Sequence, residues 1–442
     1  MRSFIRIALS ALIVSAILSN SLIAENWPQW RGPKGTGISN ESKLPTKWSR
    51  ETNVKWSVPL PEPGNSSPVV WGDKIFLTQP EKETSKRKLI CYSLASGQEL
   101  WQKHVTYDAE EETHRTNHYC SSSPVTDGER VIVWYGSAGL VCYDMNGNEQ
   151  WKRDLGTVEH MWGYGTSPIL HKDVCILNFG PGNNESLIGL DKTTGEERWK
   201  VEPIGLEQEL ALSGNENDGN AKDKADAKPS EMLRGSWGTP ILIDSGNRVE
   251  LVVGHPRRIS GYDPTSGKQL WTCGGYSPLV YTSPMAHEKT IIALGGYFGA
   301  SLAVNAGGTG DVSDSRIWHK QRDGSWLGSG VTHKGHAYVY DMGGIASCLN
   351  IETGKSVWKK RMNGSGGKSS TWGSMTMTSD GIAYQLMQNG DTFVFEATPD
   401  GYKQISRNDL EEESNSTVVI SNGHILIRTF KALWCIHQGE AT

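Results

Sequence analysis

Several features are missing from this chain, and each absence closes a route. There is no Cys-x-x-Cys-His haem-attachment site and no cysteine spacing that suits zinc. No Gly-x-Ser-x-Gly turn presents a serine nucleophile. After the first 18 residues no run approaches 18 apolar positions, so no later segment reads as a membrane-spanning helix. Lys and Arg number 44 against 49 Asp and Glu, for a formal net charge of −5. Nucleic acid and anionic membrane surfaces call for clustered basic residues, so neither is expected as the main partner. No segment carries a 3.6-residue apolar period, which excludes a helical solenoid. Seven cysteines is an odd count, so at least one is unpaired.

The first segment that is present reads as a leader. Arg2 and Arg6 precede a short apolar run from Ile7 to Leu18, followed by small residues up to Ala24. That run is too short to span a bilayer, and the pattern is that of a secretory signal peptide over 1–24. The mature chain, 25–442, is then expected to be periplasmic or secreted.

The dominant signal is a repeat. Gly-x-x-x-Trp recurs as Gly97–Trp101, Gly147–Trp151, Gly195–Trp199, Gly267–Trp271 and Gly354–Trp358. Trp56 and Trp318 sit on the same rhythm without the glycine, and Gly401 is followed by Ile405. Eight units result. Each opens on a strand such as Ser66-Ser67-Pro68-Val69, Ser122-Ser123-Pro124-Val125 or Thr282-Ser283-Pro284-Met285, and each closes on the Trp strand. Four short strands per unit, joined by tight turns, predict an all-β, eight-bladed propeller of four-stranded antiparallel blades in a single domain over 25–442. The last unit lacks an outer strand, and Val54-Lys55-Trp56-Ser57-Val58 appears before any inner strand of its own. The N-terminal strand should complete the last blade and hide its edge. The blade tryptophans Trp56, Trp101, Trp151, Trp199, Trp271, Trp318 and Trp358 are expected to pack between blades. Cys91, Cys142, Cys348 and Cys435 share one repeat position and read as small buried apolar residues. The polar stretch over about 206–232 reads as a disordered surface insert.

In a propeller the links from one blade's outer strand to the next blade's inner strand emerge on one face. Those links carry His114 and His118, then His160, Trp162 and Tyr164, then Arg234 and Trp237, then Tyr281, Trp326 and Trp372. Trp, Tyr, His and Arg gathered at a channel mouth have the composition of a binding surface. Two readings stand: the aromatic loops bind a ligand or partner there, or they plug the channel. The spacing His114-x-x-x-His118 lies on a loop, which fixes no geometry, and no carboxylate partner is evident, so no metal is expected. No catalytic residue is assigned.

The units Leu187–Trp199 and Ile259–Trp271 resemble the pyrroloquinoline-quinone-type propeller repeat, over about residues 45–437. The opening Trp27-Pro28-Gln29-Trp30-Arg31-Gly32-Pro33 resembles secreted propellers of this kind from planctomycete-type bacteria. The resemblance implies one of two functions. One branch contains quinoprotein dehydrogenases, which hold the quinone and Ca²⁺ over the channel. Many of its soluble alcohol dehydrogenases carry two adjacent cysteines, which this chain lacks, and their Ca²⁺ ligands and catalytic Asp match no position here. The other branch resembles the scaffold lipoprotein of the outer-membrane β-barrel assembly machinery, whose lipidated Cys is also absent here. The expectation is a non-catalytic, monomeric binding scaffold with an unidentified protein partner and no cofactor. The alternatives are a quinone- and Ca²⁺-dependent dehydrogenase and, more weakly, a carbohydrate-active enzyme.

Overall fold

The computed structural model describes residues 25–182, 184–205, 207–209, 234–297, 299–364 and 370–438. The expected leader, 1–24, lies outside these residues, as does the expected insert apart from 207–209. No helix among the described residues is long and apolar enough to cross a membrane.

Eight four-stranded antiparallel blades form the ring, over 69–106, 125–153, 169–201, 241–274, 285–320, 331–361, 376–409 and 419–436. The eighth is completed by Val54–Pro59, which pairs antiparallel with Ala432–Ile436, as the sequence predicted.

The repeat motif explains how blades dock. Each blade Trp lies over a small residue on the neighbouring strand. Trp101, Trp151, Trp358 and Trp56 sit opposite Cys91, Cys142, Cys348 and Cys435, while Trp199 and Trp271 sit opposite Gly189 and Gly261. A Cβ at Gly189 would come within 2.1 Å of the Trp199 ring, so the position tolerates little bulk. The other side of the indole meets the next blade's turn glycine. A Cβ at Gly97, Gly147, Gly195, Gly267 or Gly354 would come within 2.5–2.9 Å of Trp56, Trp101, Trp151, Trp199 or Trp318 respectively. Five of these tryptophans also donate the indole N–H to a turn carbonyl: Trp56 to Leu94, Trp101 to Met145, Trp151 to Lys192, Trp318 to Ile351 and Trp358 to Thr398. Burying one indole removes ~150–250 Å² from water, an upper bound of roughly 4–6 kcal/mol.

Blade 5, where Trp318 lacks its glycine, solves the junction differently. The loop before Trp318 reaches back, and Gly310–Asp311 adds a fifth strand to blade 4, parallel to its Trp271 strand. Trp271 donates its N–H to the buried Glu250 carboxylate at 2.7 Å.

The polar pairs that open each inner strand form a belt around the channel. Ser67 N donates to Ser123 Oγ, Ser123 N to Ser167 Oγ, and Ser167 N to Thr239 Oγ1. The belt resumes from Ser283 N to Ser329 Oγ, Ser329 N to Ser374 Oγ, Ser374 N to Thr417 Oγ1, and Thr417 N back to Ser67 Oγ. These bonds span 2.9–3.1 Å. Between blades 4 and 5 a backbone pairing replaces the link, with Gly235–Ser236 running parallel to Leu279–Val280.

The N-terminal segment closes the channel from the far end. Trp27 exchanges two backbone hydrogen bonds with Val70 of blade 1, Pro28 O accepts from Thr126 of blade 2, and Gly37 O accepts from Met377 of blade 7. Arg31 is buried and donates Nη2 to Gly330 O, at the start of blade 6. These partners lie on or beside inner strands around the ring, so the loop from Trp27 to Gly37 occupies the axis. Its guanidinium lies 5.7 Å from the Trp30 ring.

Candidate functional site

Above that plug the channel mouth holds a cavity of about 250 Å³. Trp30 of the N-terminal loop contributes to its wall, with His114, Trp162, Trp237, Tyr281 and Trp372 from the inter-blade links. Asn65, Asn117, Asn415, Ser67, Ser374 and Thr417 supply amides and hydroxyls, and Tyr297 completes the aromatic side. Among the described residues no Asp, Glu, Lys or Arg lines it.

The local backbone dictates this clustering. The parallel pairing of Gly235–Ser236 with Leu279–Val280 sets the next residues of both links, Trp237 and Tyr281, side by side with ring centroids 5.2 Å apart. In the neighbouring link a turn closes from Gly163 N to His160 O, and His160 Nδ1 accepts from Trp162 N at 3.1 Å. Asn117 fixes that turn by donating to Trp162 O at 2.6 Å and Tyr164 O at 2.8 Å. Trp237 then donates its N–H to Gly163 O at 2.8 Å. The result is a continuous aromatic wall. Trp162 lies 5.7 Å from Trp237, 6.1 Å from Tyr281 and 6.3 Å from Tyr297, while His160 packs edge-on to Trp237 at 4.8 Å. Burial among these rings pushes the Tyr281 hydroxyl far above the usual phenol range.

The structure brings together His114, Trp162, Trp237, Tyr281 and Trp372, with His160 against the back of the wall. It places the other named residues elsewhere. Tyr164 is buried at 4.7 Å from Trp134, and its hydroxyl accepts from Cys120 N. Trp326 is buried in the core between blades 5 and 6 with Met285 and Leu349. His118 packs edge-on against Phe430 in a separate cavity, and burial followed by the charges of Lys82 and Arg428 lowers its pKa to about 4. Arg234 pairs with Glu185 at 2.6 Å and Glu209 at 2.8 Å. It lines a second cavity of about 500 Å³ on the other side of His160, with Glu110, Glu112 and Glu159. Burial raises the Glu185 carboxyl there, opposed by Arg234.

Sequence reasoning missed Trp30, Asn65, Tyr297 and Asn415. Trp30 stood in a motif read only for its resemblance, and the asparagines sit among loop residues with no periodicity to mark them. The Ser and Thr pairs were read as strand starts, with no sign of their joint belt.

Quinone and Ca²⁺ fit this cavity poorly. Ca²⁺ takes about six to eight oxygen ligands, carboxylates prominent among them, and the described lining offers no carboxylate. Among the described residues no group of three or more His, Cys, Asp and Glu is arranged to hold a metal ion. The nearby guanidinium that a quinone carboxylate would seek, Arg234, is already paired twice.

A family model described as "Outer membrane protein assembly factor BamB" matches residues 39–201 and 257–441. The chain belongs to this family of quinone-type propellers. Solved structures agree on the fold. BamB from Moraxella catarrhalis is 13% identical with a TM-score of 0.57, covering 88% of this chain and 98% of that one. A europium-containing methanol dehydrogenase is 11% identical with a TM-score of 0.65, covering 92% and 90%. The quinohemoprotein alcohol dehydrogenase from Comamonas testosteroni is 12% identical with a TM-score of 0.64, covering 94% and 81%. No curated protein sequence matches the chain. At such identities the structural likeness carries the propeller and no activity.

Proposed function

We propose that this member of the family is an exported, monomeric propeller that binds a protein or other ligand at its channel-mouth face and performs no chemistry on it. The observation that carries this reading is the cavity itself, walled by aromatics, closed beneath by the N-terminal loop, and with no carboxylate among its described lining residues. Hydrolysis and proton abstraction need a positioned acid and base, and a quinone dehydrogenase needs Ca²⁺ ligands. Export rests on the leader reading of residues 1–24. The dehydrogenase alternative draws on the family's other branch and on shared fold.

The test has two arms. Purified protein is titrated with pyrroloquinoline quinone plus Ca²⁺ by calorimetry and assayed with an electron-accepting dye on simple alcohols and aldoses. No binding and no turnover are expected, and micromolar binding with turnover would sink the reading. In the second arm, Trp162→Ala is expected to abolish capture of the cognate ligand. Unchanged capture moves the site away from the mouth.

A further inference from the structure

We infer that the mouth cavity is a binding site for a neutral saccharide. The inference rests on the channel-mouth reading above and names its ligand class.

Three properties of the wall carry it. First, its described lining carries almost no charge. Among the described residues His114 is the only basic side chain there, and none is acidic. A phosphate, carboxylate or ammonium ligand entering this cavity would lose water without gaining a counter-charge. A sugar loses no ionic hydration. Second, the apolar surface comes as flat rings. Trp162, Trp237, Tyr281 and Tyr297 form one contiguous set, with Trp372 and Trp30 also in the wall. A pyranose presents the complementary surface, an apolar face of C–H bonds edged by hydroxyls. Third, the open polar groups suit hydroxyls. The indole N–H groups of Trp30, Trp162 and Trp372 donate to no described residue, while that of Trp237 is engaged by Gly163 O. Three open donors beside asparagine and serine side chains match a ligand dense in oxygen acceptors.

The same geometry argues against an extended peptide. A peptide held by strand addition needs unpaired backbone along a sheet edge. At this mouth the backbone N–H groups that open the inner strands are already engaged by the Ser/Thr belt. Lower down, inner-strand edges of blades 1 and 7 are taken by Trp27 and Gly37. The volume, about 250 Å³, lies below the range of ~300–1,000 Å³ common for drug-sized ligands, which suits a terminal one or two rings of a chain. That end belongs either to a free oligosaccharide or to a polysaccharide surface.

The test uses the full mature chain. Tryptophan fluorescence and calorimetry are followed during titration with cellotetraose, maltotetraose, xylotetraose and chitotetraose, and with the charged tetragalacturonate. Pelleting with insoluble cellulose, xylan and chitin, with and without the soluble tetraose as competitor, separates the two sources. At least one neutral sugar is expected to bind, and tetragalacturonate at least ten-fold more weakly. Trp162→Ala and Trp372→Ala should each weaken binding ten-fold or more at an unchanged melting temperature, while Trp162→Phe keeps most of it. Tyr297→Ala, at an exposed ring, gives a second variant with little risk to folding. Absence of binding by every neutral sugar at 10 mM, or wild-type affinity in both Trp→Ala variants, overturns the saccharide. If Trp162→Ala still abolishes capture of another ligand, the mouth remains the binding face and only the ligand class falls. Cleavage or oxidation of a bound sugar, read by chromatography, leaves the saccharide standing and removes the non-catalytic reading.

Discussion

At the scale of single residues, the repeat is a contact rule. Five blade tryptophans, Trp56, Trp101, Trp151, Trp199 and Trp318, are each held between a small residue on the paired strand and a left-handed glycine of the next blade. Gly195 has φ +72°, and its Cβ would stand 2.6 Å from the Trp151 ring. Gly195→Ala is therefore expected to destabilise twice over, by about 1–3 kcal/mol for the backbone and a similar ~1–3 kcal/mol for overpacking. Denaturant melts read this directly, and a loss under about 0.5 kcal/mol would refute the contact rule. Protonation works at the same scale. The pKa values of His118 and His424 are both lowered to about 4, with burial the leading cause in each. Since the unfolded chain binds those protons near 6.5, stability should be full above that pH and fall as the pH drops from 6.5 to 4. His118→Asn should flatten the decline in thermal melts taken across this window.

At the scale of elements, the belt of hydroxyls fixes where each inner strand begins. Ser329 is buried, accepts from Ser283 N, and donates its own N–H to Ser374 Oγ. Ser329→Ala removes the acceptor and leaves Ser283 N–H buried without a partner, a cost of about 1–3 kcal/mol. Ser329→Thr should restore it. Thermal melts that fail to separate these two substitutions would show the belt to be incidental. The belt also marks how far the sequence could be read. Blade number, strand order and the clasp all followed from Gly-x-x-x-Trp and from Trp56 arriving before its own inner strand, because backbone period is written locally. Trp162, Trp237, Tyr281 and Trp372 were legible as a group since their links all leave on one face. Tyr164 and Trp326 belong to the same links yet turn into the core, because rotamer and burial depend on neighbours from other blades. Asn117 carries no pattern, although it holds the Trp162 turn.

At the scale of the whole molecule, two pieces of one N-terminal segment do separable jobs. The loop from Trp27 to Gly37 plugs the axis, and the chain then runs outward to Trp48, which is buried, donates its backbone N–H to Asn408 Oδ1 of blade 7's outer strand and stacks on Tyr384 at 6.3 Å. Val54–Pro59 is the clasp that covers the edge of Ala432–Ile436. Two truncations should therefore differ in kind. Removing the chain up to Ser49 keeps the clasp, so the ring should still close. The cost is at least the ~3–5 kcal/mol typical of losing one buried Trp, while the circular dichroism spectrum keeps its β character. The channel is then open at both ends and the Trp30 portion of the mouth wall is gone, so any ligand held at the mouth should bind more weakly. Removing the chain through Pro59 takes the clasp as well and exposes Ala432–Ile436 as an unpaired edge strand, a template for pairing with another chain. Light scattering should report a monomer for the shorter truncation and self-association for the longer one. If both remain monomeric with the same melting temperature, closure of the ring does not depend on Val54–Pro59.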